Sequence, residues 1–207
     1  VKDRLALESM RQIDAVLFDK TGTLTKGEPT VVGVEPASDL DADAVLALAA
    51  SAEADSEHPL AKAIVAAAKD KGLRLERASG FTSSPAVGVT ATVAGHEIRV
   101  GGPRLLEEAG QPETSIADDW RAEGAIILHV VRDGTMIGGL KLADEVRPES
   151  RDAVDALHKL GVEVVMITGD AEAVAQEVGR ELGIDRVFAG VRPEDKSAKV
   201  AQLQHEG

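Results

Sequence analysis

The heptapeptide Asp19-Lys20-Thr21-Gly22-Thr23-Leu24-Thr25 gathers a carboxylate, an ammonium, hydroxyls and a glycine within one short stretch. It is delivered by the all-apolar run Ala15-Val16-Leu17-Phe18, which is too short for a helix and predicts a strand buried on both faces of a parallel sheet. Asp19 then stands at the strand's carboxyl end, where open α/β sheets bind ligands because loops diverge there and helix N-termini point in. Small residues and free backbone N–H groups at Thr21, Gly22 and Thr23 suit an anion held close to the chain. A carboxylate repels a phosphate unless a cation intervenes, so the string implies a nucleophile assisted by a metal. For the pair Asp19-Lys20 taken alone, a strand-end Asp capping a turn is the plainer reading.

A second apolar run, Val164-Val165-Met166-Ile167, ends in Thr168-Gly169-Asp170, and two buried strands with polar carboxyl-end strings point into one site. A third unit follows: helix Glu172 to Leu182, Gly183 as its C-cap, strand Arg186 to Ala189, and a polar string ending at Lys196.

The heptapeptide matches letter for letter the phosphorylation signature of the P-type ATPases, a branch of the haloacid dehalogenase superfamily. The resemblance implies that Asp19 takes the γ-phosphate of ATP, that Thr168 donates a hydrogen bond to it, and that Asp170, with Gly169, stands at the nucleotide–phosphate junction. It makes Lys196 the lysine that neutralises the transferring phosphate, and Asp144 and Arg147 a motif between two domains. Related phosphatases carry a second Asp two residues after the nucleophile as general acid/base, and Thr21 stands there instead. An aspartyl-phosphate should therefore hydrolyse slowly. Where the family has Asn after Thr-Gly-Asp, this chain has Ala171.

Between the first two strands lies a different pattern. A helix is predicted from about Asp41, with Val45, Leu48, Ala49 and Ala52 on one face, breaking at Asp55-Ser56. Ser56 is expected to cap a second helix bearing Leu60, Ile64, Ala67 and Ala68, with Pro59 in its first turn and Gly72 ending it. A Glu and a His in a first turn are ordinarily surface residues. Placed here, Ser56-Glu57-His58-Pro59-Leu60 resembles the motif of the nucleotide-binding domain in heavy-metal-transporting P-type ATPases, which implies that Glu57 and His58 contact adenine.

Residues 80–102 read as strand, turn, strand, with Val87 to Val93 and Glu97 to Val100 joined at Ala94-Gly95. The family's Gly-x-Gly and Val-Gly-Asn at the nucleotide correspond to Ala86-Val87-Gly88 and Val100-Gly101-Gly102. Gly88, Gly101 and Gly102 are therefore candidate binding positions, with glycines serving a positive φ in a hairpin as the equal alternative. Short helices over Pro103 to Gly110 and Ser115 to Glu123 precede a hairpin of Ile126 to Val131 and Met136 to Leu142, turned by Asp133-Gly134. A helix opened by Asp144 to Pro148, bearing Val154, Leu157 and Leu160, precedes the second apolar strand. Thr30 to Val34 reads as a strand after a connection at Lys26 to Pro29, and residues 1–14 as a charged, helix-compatible link.

The expected fold is α/β: a Rossmann-like parallel sheet of residues 1–28 and 139–207, carrying an inserted α+β nucleotide-binding domain of residues 29–138 on an antiparallel sheet. The 207 residues suffice for two modest domains. With three Phe, one Trp and no Tyr, base stacking has little aromatic surface to use. The net charge of −13 speaks against a nucleic-acid backbone or an anionic membrane surface as partner. It also means that ATP needs Mg²⁺ and local positive groups. No cysteine is present, so disulfides and thiolate metal sites are excluded.

No run has the length of a membrane span, and the start does not read as a secretion signal, so the chain is expected to be soluble. The resemblance implies the cytosolic region of a heavy-metal transporter in the cell membrane, with copper the expected cargo and its transmembrane and actuator domains as partners. No Gly-Asp-Gly string, which in the family supplies a magnesium carboxylate, occurs here. That leaves Asp19 and the carbonyl of Thr21 for the metal, so weak self-phosphorylation and an exposed edge on the outer sheet are expected. The rival readings are a non-catalytic nucleotide-binding module and a stand-alone phosphatase of the same superfamily.

Overall fold

A computed structural model describes residues 13–206. The charged stretch expected to link to a preceding segment lies almost wholly outside them. In chain order the elements are β1 (Ala15–Asp19), β2 (Thr25–Pro36), α1 (Ala42–Glu53), α2 (Pro59–Asp70), β3 (Ala78–Ser84), β4 (Gly88–Val93) and β5 (His96–Gly101). They continue with α3 (Pro103–Ala109), α4 (Ala117–Ala122), β6 (Ile126–Arg132), β7 (Thr135–Val146), α5 (Pro148–Lys159), β8 (Glu163–Ile167), α6 (Glu172–Leu182), β9 (Arg186–Phe188) and α7 (Lys196–Glu206). No described helix is long and apolar enough to cross a membrane.

The chain divides into two units, Val1–Gly27 with Val146–Gly207, and Glu28–Glu145. The second boundary falls at Glu145/Val146 because β7 runs unbroken through residue 139 to Val146. The string Asp144 to Val146, expected to open a helix, is the end of that strand. The helix begins only at Pro148, whose missing N–H and fixed φ suit a first helical position.

The first unit is a parallel sheet of order β1-β8-β9. The register sets Asp19 beside Ile167 and Ile167 beside Phe188, so the strands end level and their following loops converge. The interior strand β8 is buried from Val164 to Ile167. β1 is only half-buried, contrary to the expectation of burial on both faces, because as an edge strand it pairs on one side alone. Leu24, Met166, Ala175 and Leu182 form the core with Phe18, Val178 and Val187 around them. Of the apolar residues read into α5, Val154 is buried and Leu160 is exposed, lying beyond the last helical turn.

The second unit is a six-stranded sheet of order β2-β7-β6-β5-β4-β3, with β3 through β7 paired antiparallel to their neighbours. Helices α1 and α2 cover one face through a core that includes Leu46, Ile64, Ile98, Val130 and Leu140. On the other face Leu105 and Leu106 of α3 pack against Val131 and Met136, and Trp120 of α4 packs against Ile127. Two elements differ from expectation. The connection Lys26 to Pro29 is extended and forms the first part of β2. Residues 78–102 hold three strands instead of two, because β3 is a mostly exposed edge strand with none of the apolar alternation that marks a half-buried one.

Candidate active site

In the first unit, Asp19 is the last residue of β1, and the chain then turns tightly through Lys20 to Leu24. Gly22 takes φ 77°, a left-handed conformation that favours glycine. The Thr25 hydroxyl closes the turn by donating to the Lys20 carbonyl (3.1 Å) and accepting from the Gly22 N–H (3.2 Å). The start of α5 pins it from outside. The Arg147 N–H and the Ser150 hydroxyl both donate to the Leu24 carbonyl at 2.9 Å, and Arg147 Nε donates to the Thr25 carbonyl at 3.0 Å. Thr21, Gly22 and Thr23 remain exposed beside the carboxylate.

Two acid–ammonium pairs fill the site. Lys196 Nζ, at the start of α7, donates to Asp19 Oδ2 at 2.7 Å. Lys20, only 7% exposed, pairs with Asp170 Oδ2 at 2.5 Å. The Thr168 hydroxyl donates to the same carboxyl oxygen at 2.9 Å and accepts from the Asp170 N–H at 3.2 Å. The loop is held in place by Val191 N–H to the Thr168 carbonyl and Gly190 N–H to the Asp170 carbonyl. The fold thus brings Asp19, Lys20, Thr168, Asp170 and Lys196 together, although Lys20 is committed to Asp170 and not to its neighbour in sequence. Ala171 is the N-cap of α6 and offers no side-chain acceptor.

The second unit contains a cavity of about 400 Å³ bounded by the end of α1, the α1–α2 connection, the β3–β4 turn and the end of β5. His58, Gly88, Gly101 and Gly102 all line it. His58, and not Ser56, is the N-cap of α2: its Nδ1 accepts from the Leu60 N–H at 3.2 Å, which places the ring proton on Nε2. Pro59 at the first helical position makes the residue before it the cap. Ser56 Oγ instead accepts from the His58 N–H at 3.4 Å.

Glu57 is exposed and does not line the cavity, whereas Glu53, one helical turn earlier, does. Glu53 is 6% exposed and its Oε2 has no hydrogen-bond partner. Burial pushes its carboxyl up to about 7, against a smaller opposing effect of the Ser56 hydroxyl. Glu53 escaped the motif-based reading, yet the sequence carries a signal for it. It continues the buried stripe of Val45 and Ala49 at helical spacing, as an acid in a last turn where the helix dipole disfavours negative charge.

The glycines separate by cause. Gly88 and Gly101 face each other across β4 and β5. A Cβ on Gly88 would lie 2.0 Å from the Val100 carbonyl oxygen, and one on Gly101 1.9 Å from that of Val87. Close backbone approach of the two strands therefore demands both. Gly102 has nothing within 4 Å of an added Cβ. Ala86 holds φ 64°, a left-handed conformation that strains any residue with a Cβ.

This chain belongs to the haloacid dehalogenase-like hydrolases, whose family model matches residues 13–207. Within that class it is similar to the "Copper-exporting P-type ATPase" of Legionella pneumophila, 39% identical over 210 residues, covering all of this chain and 28% of the relative. It is 40% identical over 205 residues to "Copper-transporting ATPase 1" of Rhizobium meliloti, covering 98% of this chain and 25% of that protein. The chain thus spans about a quarter of the length of the curated relatives it matches. Among solved structures, a zinc-transporting PIB-type ATPase in its E2.Pi state matches with a TM-score of 0.85 at 32% identity, over 98% of this chain and 33% of that one. The catalytic domain of the CPx-ATPase CopB-B matches with a TM-score of 0.62 at 29% identity, over all of this chain and 73% of that domain.

Proposed function

We propose that this chain is the ATP-binding and aspartyl-phosphorylation region of a heavy-metal-transporting P-type ATPase. The observation that carries the reading is Asp19 at the carboxyl end of β1, with Lys196 on its carboxylate and the Thr168–Asp170 loop beside it. In the proposed reaction an oxygen of Asp19 attacks the γ-phosphorus in line, the bond from that phosphorus to the bridging oxygen breaks, and ADP leaves with the electron pair. Positioning and charge neutralisation supply most of the rate. Lys196 stabilises the transferring phosphoryl group, and Thr168, released from Asp170, donates to it. Thr21 supplies no general base, so the acyl-phosphate persists long enough to be coupled to transport.

The nucleotide base sits in the second unit's cavity, against the Glu53 carboxyl and the His58 ring, with Glu57 outside it. Mg²⁺ keeps several waters and is ordinarily held by one or two carboxylates together with substrate phosphates. The Asp19 carboxylate and the Thr21 carbonyl suit such an ion, whose role is to neutralise phosphate charge. No group of three or more His, Asp or Glu side chains able to cage a metal occurs among the described residues. Asp19 brings a single carboxylate to the ion, and that same group is the proposed nucleophile, so this chain on its own is expected to accumulate little phosphoenzyme. Copper as cargo rests on what the relatives are named for, and membrane and actuator domains as partners rest on the resemblance carried by the Asp19 and His58 motifs.

The test is calorimetric titration of ATP into the wild type and into Glu53→Ala, His58→Ala and Glu57→Ala. Weakening by the first two and not the third supports the reading. No binding, or binding indifferent to all three, overturns it. Stoichiometric phosphate on Asp19 from Mg-ATP would refute the expectation of weak self-phosphorylation.

A further inference from the structure

Helix α7 of the first unit carries Lys196 at its first position, and little burial holds it there. None of residues 196–205 is buried, and only Lys196, Lys199 and Leu203 are half-buried, three and four residues apart and so on one face. Val200 is 40% exposed, and the core around Leu24 and Met166 takes no residue from α7. Apolar packing therefore does little to fix the turn of α7 about its own axis. A cation over a ring can do so. Lys199 Nζ lies 5.1 Å from the centroid of the Phe188 ring, and Arg186 Cζ lies 5.4 Å from the same centroid. The electron-rich face of an aromatic ring attracts a cation at that range. The other contact of Lys199 Nζ is the side-chain oxygen of Gln202 on its own helix, at 3.2 Å.

Phe188 is itself tied to the site. It stands beside Ile167 in the sheet, and Ile167 beside Asp19. Its carbonyl accepts from the Thr168 N–H at 2.9 Å. The ring thus shares a frame with the carboxylate that Lys196 Nζ reaches at 2.7 Å. Lys196 and Lys199 lie nearly one helical turn apart, so a rotation of α7 that lifts Lys199 off the ring also carries Lys196 off Asp19. We propose that Phe188 and Lys199 are positioning residues for Lys196, the ring holding the Lys199 ammonium and thereby keeping α7 turned so that the Lys196 ammonium meets Asp19. The proposal deepens the reading of Asp19 and Lys196 as the phosphoryl-transfer pair and rests on it.

The experiment measures the acetylation rate of Lys196 under a dilute acetylating reagent, resolved by mass spectrometry, with the exposed Lys159 of α5 as internal reference. An ammonium held on a carboxylate is acetylated slowly, and one set free reacts faster. Asp19→Asn removes the partner outright and sets the upper limit. Phe188→Leu keeps an apolar side chain and loses the ring, while Lys199→Met keeps the stem, loses the charge and disturbs no core. Both should raise the Lys196 rate roughly two- to fivefold, the worth of an exposed cation–π contact. Lys199→Arg, whose guanidinium also stacks on an aromatic face, should restore the wild-type rate. An unchanged rate in Lys199→Met overturns the proposal, as does a rise that arginine does not reverse. Mg-ATP should slow Lys196 acetylation in the wild type. Absence of that protection refutes the reading of Lys196 as the lysine on the phosphate, whereas a silent Lys199→Met refutes the positioning role alone.

Discussion

Replacing Glu53 by Gln keeps the shape of the side chain and removes its ability to ionise. The buried carboxyl titrates at about 7 against an ordinary 4.5, a gap of about 2.5 pH units. An acid whose value is raised by folding is released first in the unfolded chain. Stability is therefore complete below pH 4.5, declines as pH rises from 4.5 to 7, and stays low above that. At 1.36 kcal/mol per unit the ceiling is about 3 kcal/mol. The carboxyl borders a cavity that admits water, which screens it, so about 1–2 kcal/mol is expected. The lone tryptophan, Trp120, is buried in the same unit, so its fluorescence reports that unit's unfolding directly. Urea unfolding of both proteins at pH 4.5 and pH 8 should show near-equal stability at the lower pH and Glu53→Gln more stable at the higher. Comparing the two proteins cancels every other titrating group. A difference that is the same at both pH values, or a Gln variant less stable at pH 8, would refute the argument.

Four further outcomes follow from burial, close approach and capping elsewhere in the chain. His129 is wholly buried with neither ring nitrogen hydrogen-bonded, 3.4 Å from a Glu113 carboxylate that Arg121 grips with two bonds. Burial pushes its titration down, so the unfolded chain takes the proton first and stability falls as pH drops below 6.5. His129→Leu should stabilise the unit by about 1 kcal/mol at pH 7 and by more at pH 5, as read by thermal unfolding. Gly101→Ala forces a methyl onto the Val87 carbonyl and should cost about 3 kcal/mol in urea unfolding. Gly102→Ala, in open space, should be nearly neutral in the same assay. Ala171→Asn gives α6 the cap acceptor it lacks and should raise the first unit's stability by about 1 kcal/mol, measured by hydrogen exchange of the α6 amides.

The parallel sheet was legible because two of its three strands carry unbroken apolar runs ending in polar strings, a pattern with few alternative uses. Val164 to Ile167 is the clearest case, and it is the strand whose burial is complete. Ala15 to Phe18 reads the same in sequence, yet its neighbours on one side are a matter of topology that four residues do not encode. β3 was not separated from β4 because this edge strand is mostly Ser, Thr and Gly, and its two half-buried apolar residues, Ala78 and Phe81, stand three apart and give no alternation. β7 outran its expected end because Asp144 and Glu145 read as helix-opening acids, while the ladder beside them continued.

The pocket shows where a motif and a geometry part company. Ser56 to Leu60 is a contiguous string, and contiguity drew the acidic role to Glu57, next to the histidine. His58 caps a helix whose first residue is Pro59, and the cap geometry leaves Glu57 exposed while the turn of α1 before it swings Glu53 into the cavity. Spacing along a helix, not adjacency along the chain, decides which carboxylate lines the cavity. The same distinction governs the glycines. Gly88 and Gly101 are fixed by each other's carbonyl neighbours whether or not a nucleotide is present, so their occurrence alone carries no information about binding. Gly102 is under no such constraint, and that position is free to serve the ligand. Gly102→Asn therefore adds a cap to α3 and an amide to the cavity at no steric cost. A gain in ATP affinity without loss of stability would place the nucleotide against the end of β5, and an unchanged affinity would place it away from there.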